Sequence, residues 1–366
     1  MNRYFRLLKN FDWVLMLATF LLLGFSFAII YSTTFSMAGG SEALQQIIFA
    51  GVGLVCLILM ARADYRMFKK LSGILYLLTI IMLVATYLLG HNALGATRWI
   101  NVFGFQFQPS ELAKVFMIIV MAKFFSENVD QMHQPKVFLK SVVYIGIPTA
   151  LVAIQPDLGT ALTFAIIWGA MLLVSNIKKR YVAGTVGIIG LVMIPVYNFL
   201  LHPYQKTRIL SFLNPTADPM GSGWNVNQAI IAIGSGQFWG RGLGHGPQSQ
   251  LNFLPFEHTD FVFASLAEEM GFVGAFAVIL LFGAILYRAI RIAMLSRDYF
   301  GMFLATGIFA MLFFHIFINI GMNLGIVPVT GIPLPLVSYG GTSVVITLFS
   351  IGILESIYIR YKKIDF

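Results

Sequence analysis

The sequence predicts an all-α polytopic membrane protein of about ten transmembrane helices, and three observations predict it. Hydrophobic residues make up 58% of the chain and charged residues only 11%, a balance that belongs to chains whose main solvent is lipid. The apolar residues fall into repeated runs near the length that crosses a hydrocarbon layer of ~30 Å at ~1.5 Å per helical residue. Lys and Arg gather in short links that would share one side of such a bundle.

The runs lie at 11–31, 45–61, 71–90, 111–125, 141–155, 158–175, 181–201, 260–286, 300–323 and 341–359. The segment 141–175 also reads as one broken hairpin bent at Gln155-Pro-Asp157. Nineteen of the 24 basic residues flank alternate ends: Arg3, Arg6 and Lys9 before the first run; Arg62, Arg66, Lys69 and Lys70 after the second; Lys123, Lys136 and Lys140 between the fourth and fifth; and comparable triplets after the sixth, eighth and tenth. Positive residues stay inside, so both termini are expected in the cytoplasm. The net charge of +9 is then a topology signal, and nothing argues for nucleic acid. The first run is too long, and lacks a small-residue cleavage site, to read as a removable signal peptide. The lone Cys56 sits mid-span and founds neither a disulfide nor a metal site. No soluble domain or internal repeat interrupts the chain, so residues 1–366 read as a single integral membrane domain. The missing repeat weighs against transporter folds built from inverted halves.

One stretch departs from this pattern. Between the seventh and eighth runs, about 202–259, lies a large polar segment, expected outside the cell. Polar irregular backbone persists in a membrane protein only where it meets water or lines a cavity, so this segment reads as a site. Three shorter segments share its side: the one holding Arg98 and Pro109-Ser-Glu-Leu-Ala-Lys114, the bend at Asp157, and Val327–Gly341, whose three prolines and lack of charge suit neither a helix nor a free loop.

Each candidate has a plainer reading beside it. Ser110 suits a helix cap, with Glu111 and Lys114 one turn apart and able to pair, although intramembrane charges are also candidates for function. Asp157 suits a cap or a cavity carboxylate. Eight glycines between 221 and 246, with Arg241 among them, either serve the turns of a loop or expose N–H groups to phosphate oxygens. Their setting excludes a nucleotide fold, which needs a strand before and a helix after. Lys206 and Arg208 add a nearby cationic pair. Glu257-His-Thr-Asp260 is the sharpest cluster. Asp260, at the entry to the eighth run, is either an ordinary cap or a carboxylate tuned by its boundary position for proton abstraction or cation binding. Glu268 and Glu269 follow deeper in the same run, and His315 and Asn319, one turn apart, suit interhelical hydrogen bonds.

Five motifs, Gln108-Pro-Ser-Glu-Leu-Ala-Lys114, Gln155-Pro-Asp-Leu-Gly-Thr160, Ala232-Ile-Gly-Ser-Gly236, His258-Thr-Asp-Phe261 and Pro333-Leu-Pro-Leu-Val-Ser-Tyr-Gly-Gly341, together resemble the SEDS family of shape, elongation, division and sporulation proteins. Gln248–Pro255, Ala267-Glu-Glu269 and the short tails are more similar to its elongation branch than to its division branch. The resemblance implies a glycosyltransferase that polymerises lipid II into peptidoglycan on the outer face of the bacterial inner membrane. It also implies a class B penicillin-binding protein as partner, with other elongation-complex membrane proteins. It makes Asp260 the catalytic carboxylate and gives Glu111 and Lys114 functional weight. The family pattern Leu-Pro-Glu-x-His-Thr-Asp is altered here to Leu254-Pro-Phe-Glu-His-Thr-Asp260, which puts a role for Glu257 in doubt.

That activity suits the residues. Polyprenyl pyrophosphate is a good leaving group whose charge needs neutralising, while the acceptor hydroxyl needs a base. Asp260 is the expected base, or the ligand of a divalent cation, Mg2+ or Mn2+. Lys114, Arg208 and Arg241 are the expected pyrophosphate partners. Arg98, Glu111, Asp157, Lys206, His258, Thr259 and Ser338 complete the expected substrate-contacting set. A lipid II flippase would need cationic cavities open to both faces, an ion-coupled transporter would favour mid-span acids such as Glu268 and Glu269, and a pure scaffold would leave the loop chemistry without purpose.

Overall fold

The computed structural model describes residues 10–361 apart from 39, 94–95, 103–104, 176, 178–180, 182–183, 185–186, 188–197, 199–200, 202, 214–221 and 252. Its helices are α1 (Trp13–Ala38), α2 (Ser41–Arg62), α3 (Met67–Leu89), α4 (Pro109–Glu127), α5 (Pro135–Ile154), α6 (Leu158–Val174), α7 (Pro203–Leu213), α8 (Ser222–Ser235), α9 (Pro247–Gln250), α10 (Val262–Leu295), α11 (Tyr299–Asn323) and α12 (Gly341–Tyr361). Among the described residues seven helices, α1, α2, α3, α5, α10, α11 and α12, are long and apolar enough to cross a membrane, and α6 is a shorter apolar helix. The expected run 181–201 and the basic triplet 178–180 lie largely or wholly outside the described residues.

The side-chain pattern identifies the solvent. Helix α3 buries Ser72, Thr79, Leu83 and Thr86 and exposes Ile74, Leu77, Ile81 and Leu88. A helix in water does the reverse. The hydroxyls that turn inward are satisfied within the helix, Thr79 Oγ1 donating to Leu75 O at 2.8 Å and Thr86 Oγ1 to Met82 O at 2.7 Å. Helices α11 and α12 are instead largely buried and form the centre. There α11 packs on α10, α4 and α6, while α12 lies along α2. The α2–α12 crossing depends on small residues: a Cβ at Gly53 would stand 2.5 Å from Leu348, and one at Gly352 would stand 2.6 Å from Leu57 O.

The bundle has two chemically different ends. At one, Arg288 pairs with Asp12, whose N–H donates to Glu355 Oε2 at 3.0 Å, and Arg66 and Tyr65 both meet Asp298. Arg360 reaches Asp64 and the carbonyl of Arg62. The described basic clusters therefore converge on one end, as the spacing predicts. The other end holds Asp157, His258, Asp260 and the 327–341 segment.

One feature differs from the all-helical expectation, and another from the irregular polar segment. Residues 91–107 form a small antiparallel sheet in the order β1 (His91–Ala93), β2 (Ala96–Val102), β3 (Phe105–Phe107). The composition of β2, with Thr97, Trp99, Ile100 and Val102, explains the choice, because β-branched and aromatic residues favour the pleat. Arg98 lies on this strand. The polar segment before α10 is also not simply irregular: it folds into α7, α8 and α9.

Candidate functional site

Asp260 sits at the mouth of α10, half-buried. It does not cap that helix: the N-cap position is Phe261, with no side-chain capping bond. Its carboxylate instead approaches Gly331, where an added Cβ would stand 3.7 Å from Asp260 Oδ2 and 3.9 Å from Arg208 Nη1. An acid and a guanidinium thus flank one glycine whose φ is +75°, a backbone region that a side chain would strain.

Four elements assemble this corner. Arg208 comes from α7 and donates to Val329 O at 3.4 Å. Helix α7 is anchored by Gln205 Nε2, which donates to Pro156 O at 3.2 Å. That proline begins the turn where Asp157 caps α6, its carboxylate accepting from Thr160 N at 3.3 Å and Thr160 Oγ1 at 2.9 Å. The fourth element is the strap 327–341. It packs so closely on α6 that a Cβ at Gly159 would lie 2.8 Å from Ile332.

The strap explains its own odd composition. Leu334, Leu336, Val337 and Ser338 are almost fully buried, and buried backbone must find partners. Ser26 Oγ donates to Val337 O at 2.9 Å, Gln46 Nε2 to Ser338 O at 3.2 Å, and Asn319 Nδ2 to Ile332 O at 2.9 Å. In return the strap grips the His-Thr-Asp turn. Tyr339 N–H donates to His258 O at 2.8 Å and Ser338 Oγ to Thr259 O at 2.6 Å, while Asn319 and Asn323 Nδ2 both donate to Asp260 O at 3.1 Å. Three successive carbonyls are captured. Ser338 Oγ also accepts from Leu334 N–H at 2.8 Å, so this hydroxyl is engaged in holding the turn. His258 pairs with Glu42 of α2 at 3.6 Å and stacks edge-on to Tyr339.

Glu111 and Lys114 form the predicted pair at 2.6 Å, both almost fully buried. His315 Nε2 lies 3.2 Å from Lys114 Nζ. A buried ion pair stays only with further hydrogen bonds, and His315 supplies one. His315 therefore makes the expected interhelical hydrogen bond, whereas Asn319 bonds to carbonyls of the Asp260 turn and the strap rather than to a neighbouring helix.

The glycine-rich segment serves α10 itself. Helix α10 breaks at Gly271, with φ 66° and ψ −167°. Residues 236–242 fill the break: Arg241 N–H donates to Glu268 O at 3.0 Å, Gly242 N–H to Glu269 O at 2.9 Å, and Phe272 N–H to Gln237 O at 2.9 Å. A Cβ on Gly236 would fall 1.9 Å from Ala267 O and one on Gly240 2.2 Å from Glu269 O. The N–H groups of Arg241 and Gly242 are thus committed to protein carbonyls. Arg241 Nε donates to Ser235 O at 2.9 Å, and Lys206 Nζ to Asn198 O at 3.1 Å; neither contact joins the Asp260 corner.

Deeper in α10, Glu268 caps α9, accepting from Gln248 N at 2.8 Å, Ser249 N at 3.0 Å and Ser249 Oγ at 2.9 Å. Glu269 accepts from Ser32 Oγ at 2.7 Å and Gln250 Nε2 at 3.3 Å. Glu257 is buried, and that burial, reinforced by Glu42, Glu268 and Glu269, pushes its carboxyl up to about 7. Asn323, Gln46 and Ser26 went unmarked in the sequence. The only signal was an Asn319–Asn323 pair at i and i+4 in an otherwise greasy helix. Among the described residues no group of three or more His, Cys, Asp or Glu could hold a metal ion. Asp260 is a single carboxylate beside an arginine, so the protein alone does not build a cation cage there.

Comparison with known proteins places this geometry. A family model described as "cell cycle protein", covering FtsW, RodA and SpoVE, matches residues 10–363. The chain is 38% identical over 356 residues to peptidoglycan glycosyltransferase MrdB of Escherichia coli K12, covering 97% of this chain and 95% of that protein. It is 35% identical to stage V sporulation protein E of Bacillus subtilis, covering 96% and 98%. A chain from a structure entitled "Structural coordination of polymerization and crosslinking by a peptidoglycan synthase complex" superposes with a TM-score of 0.80 at 27% identity, covering 96% of this chain and 99% of that one. An aspartate-to-alanine mutant of Thermus thermophilus rod shape determining protein RodA gives 0.73 at 25%, with the same coverage.

Proposed function

This chain belongs to the FtsW/RodA/SpoVE family of cell cycle proteins, and on that premise we propose that it is a peptidoglycan glycosyltransferase that polymerises lipid II during cell elongation. It is a multi-pass protein of the bacterial inner membrane. In our reading residues 1–366 form one membrane domain with ten spans, both termini are cytoplasmic, and the Asp260 corner faces outward. The converging basic residues at the opposite end support that orientation.

One observation carries the assignment of chemistry: Asp260 is released from helix capping and stands beside Arg208 across a bare glycine. Its carboxylate accepts the proton of the acceptor sugar hydroxyl as that oxygen bonds to the anomeric carbon of the donor. The bond from that carbon to the pyrophosphate oxygen breaks, and the lipid pyrophosphate leaves as an anion. Arg208 offsets the charge growing on it. Positioned base catalysis of this kind contributes ~10²–10⁴-fold. Lys114, held by Glu111 and His315, is a further candidate for the anion. Mg2+ or Mn2+ remains a proposal: with one protein carboxylate available, most of its ligands would come from the pyrophosphate and water. It would there neutralise phosphate charge.

A class B penicillin-binding protein is the proposed partner, supported by the fold shared with a synthase complex that couples polymerisation to crosslinking; other elongation-complex proteins are proposed on the resemblance alone. Reconstitution with labelled lipid II tests the core reading. Wild-type protein should give polymer on a gel and Asp260→Ala none, with both equally folded. Polymer from Asp260→Ala would reject the catalytic carboxylate, and leaflet exchange without polymer would favour a flippase.

A further inference from the structure

The end of α11 carries two asparagines, Asn319 and Asn323, with no exposed surface. Interhelical contacts alone do not account for where their amides point. In an uninterrupted helix the Asp260 carbonyl would accept from the Ala264 N–H four residues on. Here that N–H meets Phe261 O and Asn323 Oδ1, both at 3.0 Å, while Asn323 Nδ2 donates to Asp260 O at 3.1 Å. The amide is inserted into the helical bond, donating to one half and accepting from the other. Asn319 Nδ2 donates to the same carbonyl at 3.1 Å and to Ile332 O at 2.9 Å. Ile332 follows Gly331, the glycine that Asp260 and Arg208 flank. Asn323 Nδ2 also donates to the backbone carbonyl of Asn319 at 2.8 Å, with Asn319 Oδ1 at 3.4 Å.

We propose that Asn319 and Asn323 are positioning residues for the polymerisation step, holding the Asp260 backbone out of helical register and at a fixed distance from the strap that carries Gly331. This rests on the assignment of Asp260 above. The insertion explains why Asp260 is not a cap. Its carbonyl is anchored to α11, α10 starts two residues later, and its side chain is left to face Arg208. Asn319 adds a second constraint, because one amide nitrogen binds both walls of the corner and so fixes the gap in which a hydroxyl would be aligned. Misplacing a reacting group by ~1 Å costs about 10²-fold in rate, which is the size of effect such a clamp can control. Neither asparagine touches substrate in this scheme.

The test uses the full chain in proteoliposomes with lipid II, comparing Asn319→Leu, Asn323→Leu, Asn323→Gln and Asp260→Ala. Leucine keeps the branching and the number of heavy atoms and removes the amide. Each leucine variant should lower kcat about 10–100-fold while KM stays within about threefold, because the lipid-binding surfaces are untouched. Asn323→Gln, which keeps an amide, should recover part of the rate. Losses that track the folded fraction, or that fall on KM, would overturn the proposal, as would wild-type kcat in both leucine variants. Full activity in Asp260→Ala would overturn this proposal together with the catalytic assignment. A dead Asp260→Ala beside full-rate leucine variants would overturn the positioning role alone.

Discussion

Asp260 and Glu268 lie eight residues apart on one segment of chain, and the structure treats them oppositely. At Glu268 the carboxylate is consumed: two backbone N–H groups and a serine hydroxyl converge on it, and its surface is fully buried. At Asp260 the backbone is consumed and the carboxylate faces a guanidinium and a glycine. The difference is a test of role. The Glu268 charge is spent on holding α9 in place, whereas at Asp260 the clamp falls on the main chain and the carboxylate is turned to a corner shared with Arg208.

The comparison breaks most visibly in paired isosteric variants. Asp260→Asn keeps shape and removes the base, so polymerisation should fall by about 10²–10⁴-fold. Its melting midpoint in detergent should barely move, since charge contacts of a half-exposed carboxylate contribute only ~0–1 kcal/mol. Glu268→Gln should do the converse. It leaves at least one of the donors from Gln248 and Ser249 poorly matched, costing roughly 1–3 kcal/mol for each buried group left unsatisfied, yet activity per folded molecule should stay near wild type. Equal rate losses in the two variants would erase the distinction.

Gly271 sharpens the same contrast from the backbone. Its φ of 66° and ψ of −167° fall where only glycine is at ease, and a Cβ would stand 2.2 Å from Gly240 N. Gly271→Ala should therefore cost about 1–3 kcal/mol in strain before any clash. It should also loosen the segment 236–242 that covers Glu268 while leaving the Asp260 turn, held from α11 and the strap, in place. Amide hydrogen exchange would show protection lost at Arg241 and Gly242 and kept at Ala264; uniform loss would mean that the two regions are one cooperative unit.

How much of this was legible depended on the range of the interactions involved. Apolar runs and basic flanks are local signals, and the described helices follow them closely. The Glu111–Lys114 pair was readable because its partners are one turn apart. The strap's composition announced that Val327–Gly341 was neither helix nor loop, but two of its donors, Ser26 and Gln46, lie 311 and 292 residues from the carbonyls they hold. The glycines misled for a related reason. Their density suggested exposed N–H groups, whereas the bonds run to carbonyls at a helix break that no periodicity reveals. Asn323 was nearly silent because an Asn319–Asn323 pair at i and i+4 in a greasy helix says only that partners exist, without naming them. The β2 strand left only a trace in composition, Thr97, Trp99, Ile100 and Val102, too short to compete with the helical pattern around it.

The smallest effect concerns Glu257, which is neither answered like Glu268 nor presented like Asp260. Burial first, then the neighbouring Glu42, Glu268 and Glu269, raises its carboxyl from 4.5 to about 7. The folded protein therefore keeps this proton at pH values where the unfolded chain has released it. Between about 4.5 and 7 the folded state binds more protons, so this group's contribution to stability is full below that window and declines as pH rises through it. The wild-type melting midpoint in detergent should consequently drop between pH 5 and 8 more steeply than that of Glu257→Gln, by an amount equivalent to about 1–3 kcal/mol. The variant should overtake the wild type above neutrality. Parallel curves would mean that Glu257 titrates as an ordinary surface acid, and the family-shifted acidic position would then have no energetic consequence for the turn that carries Asp260.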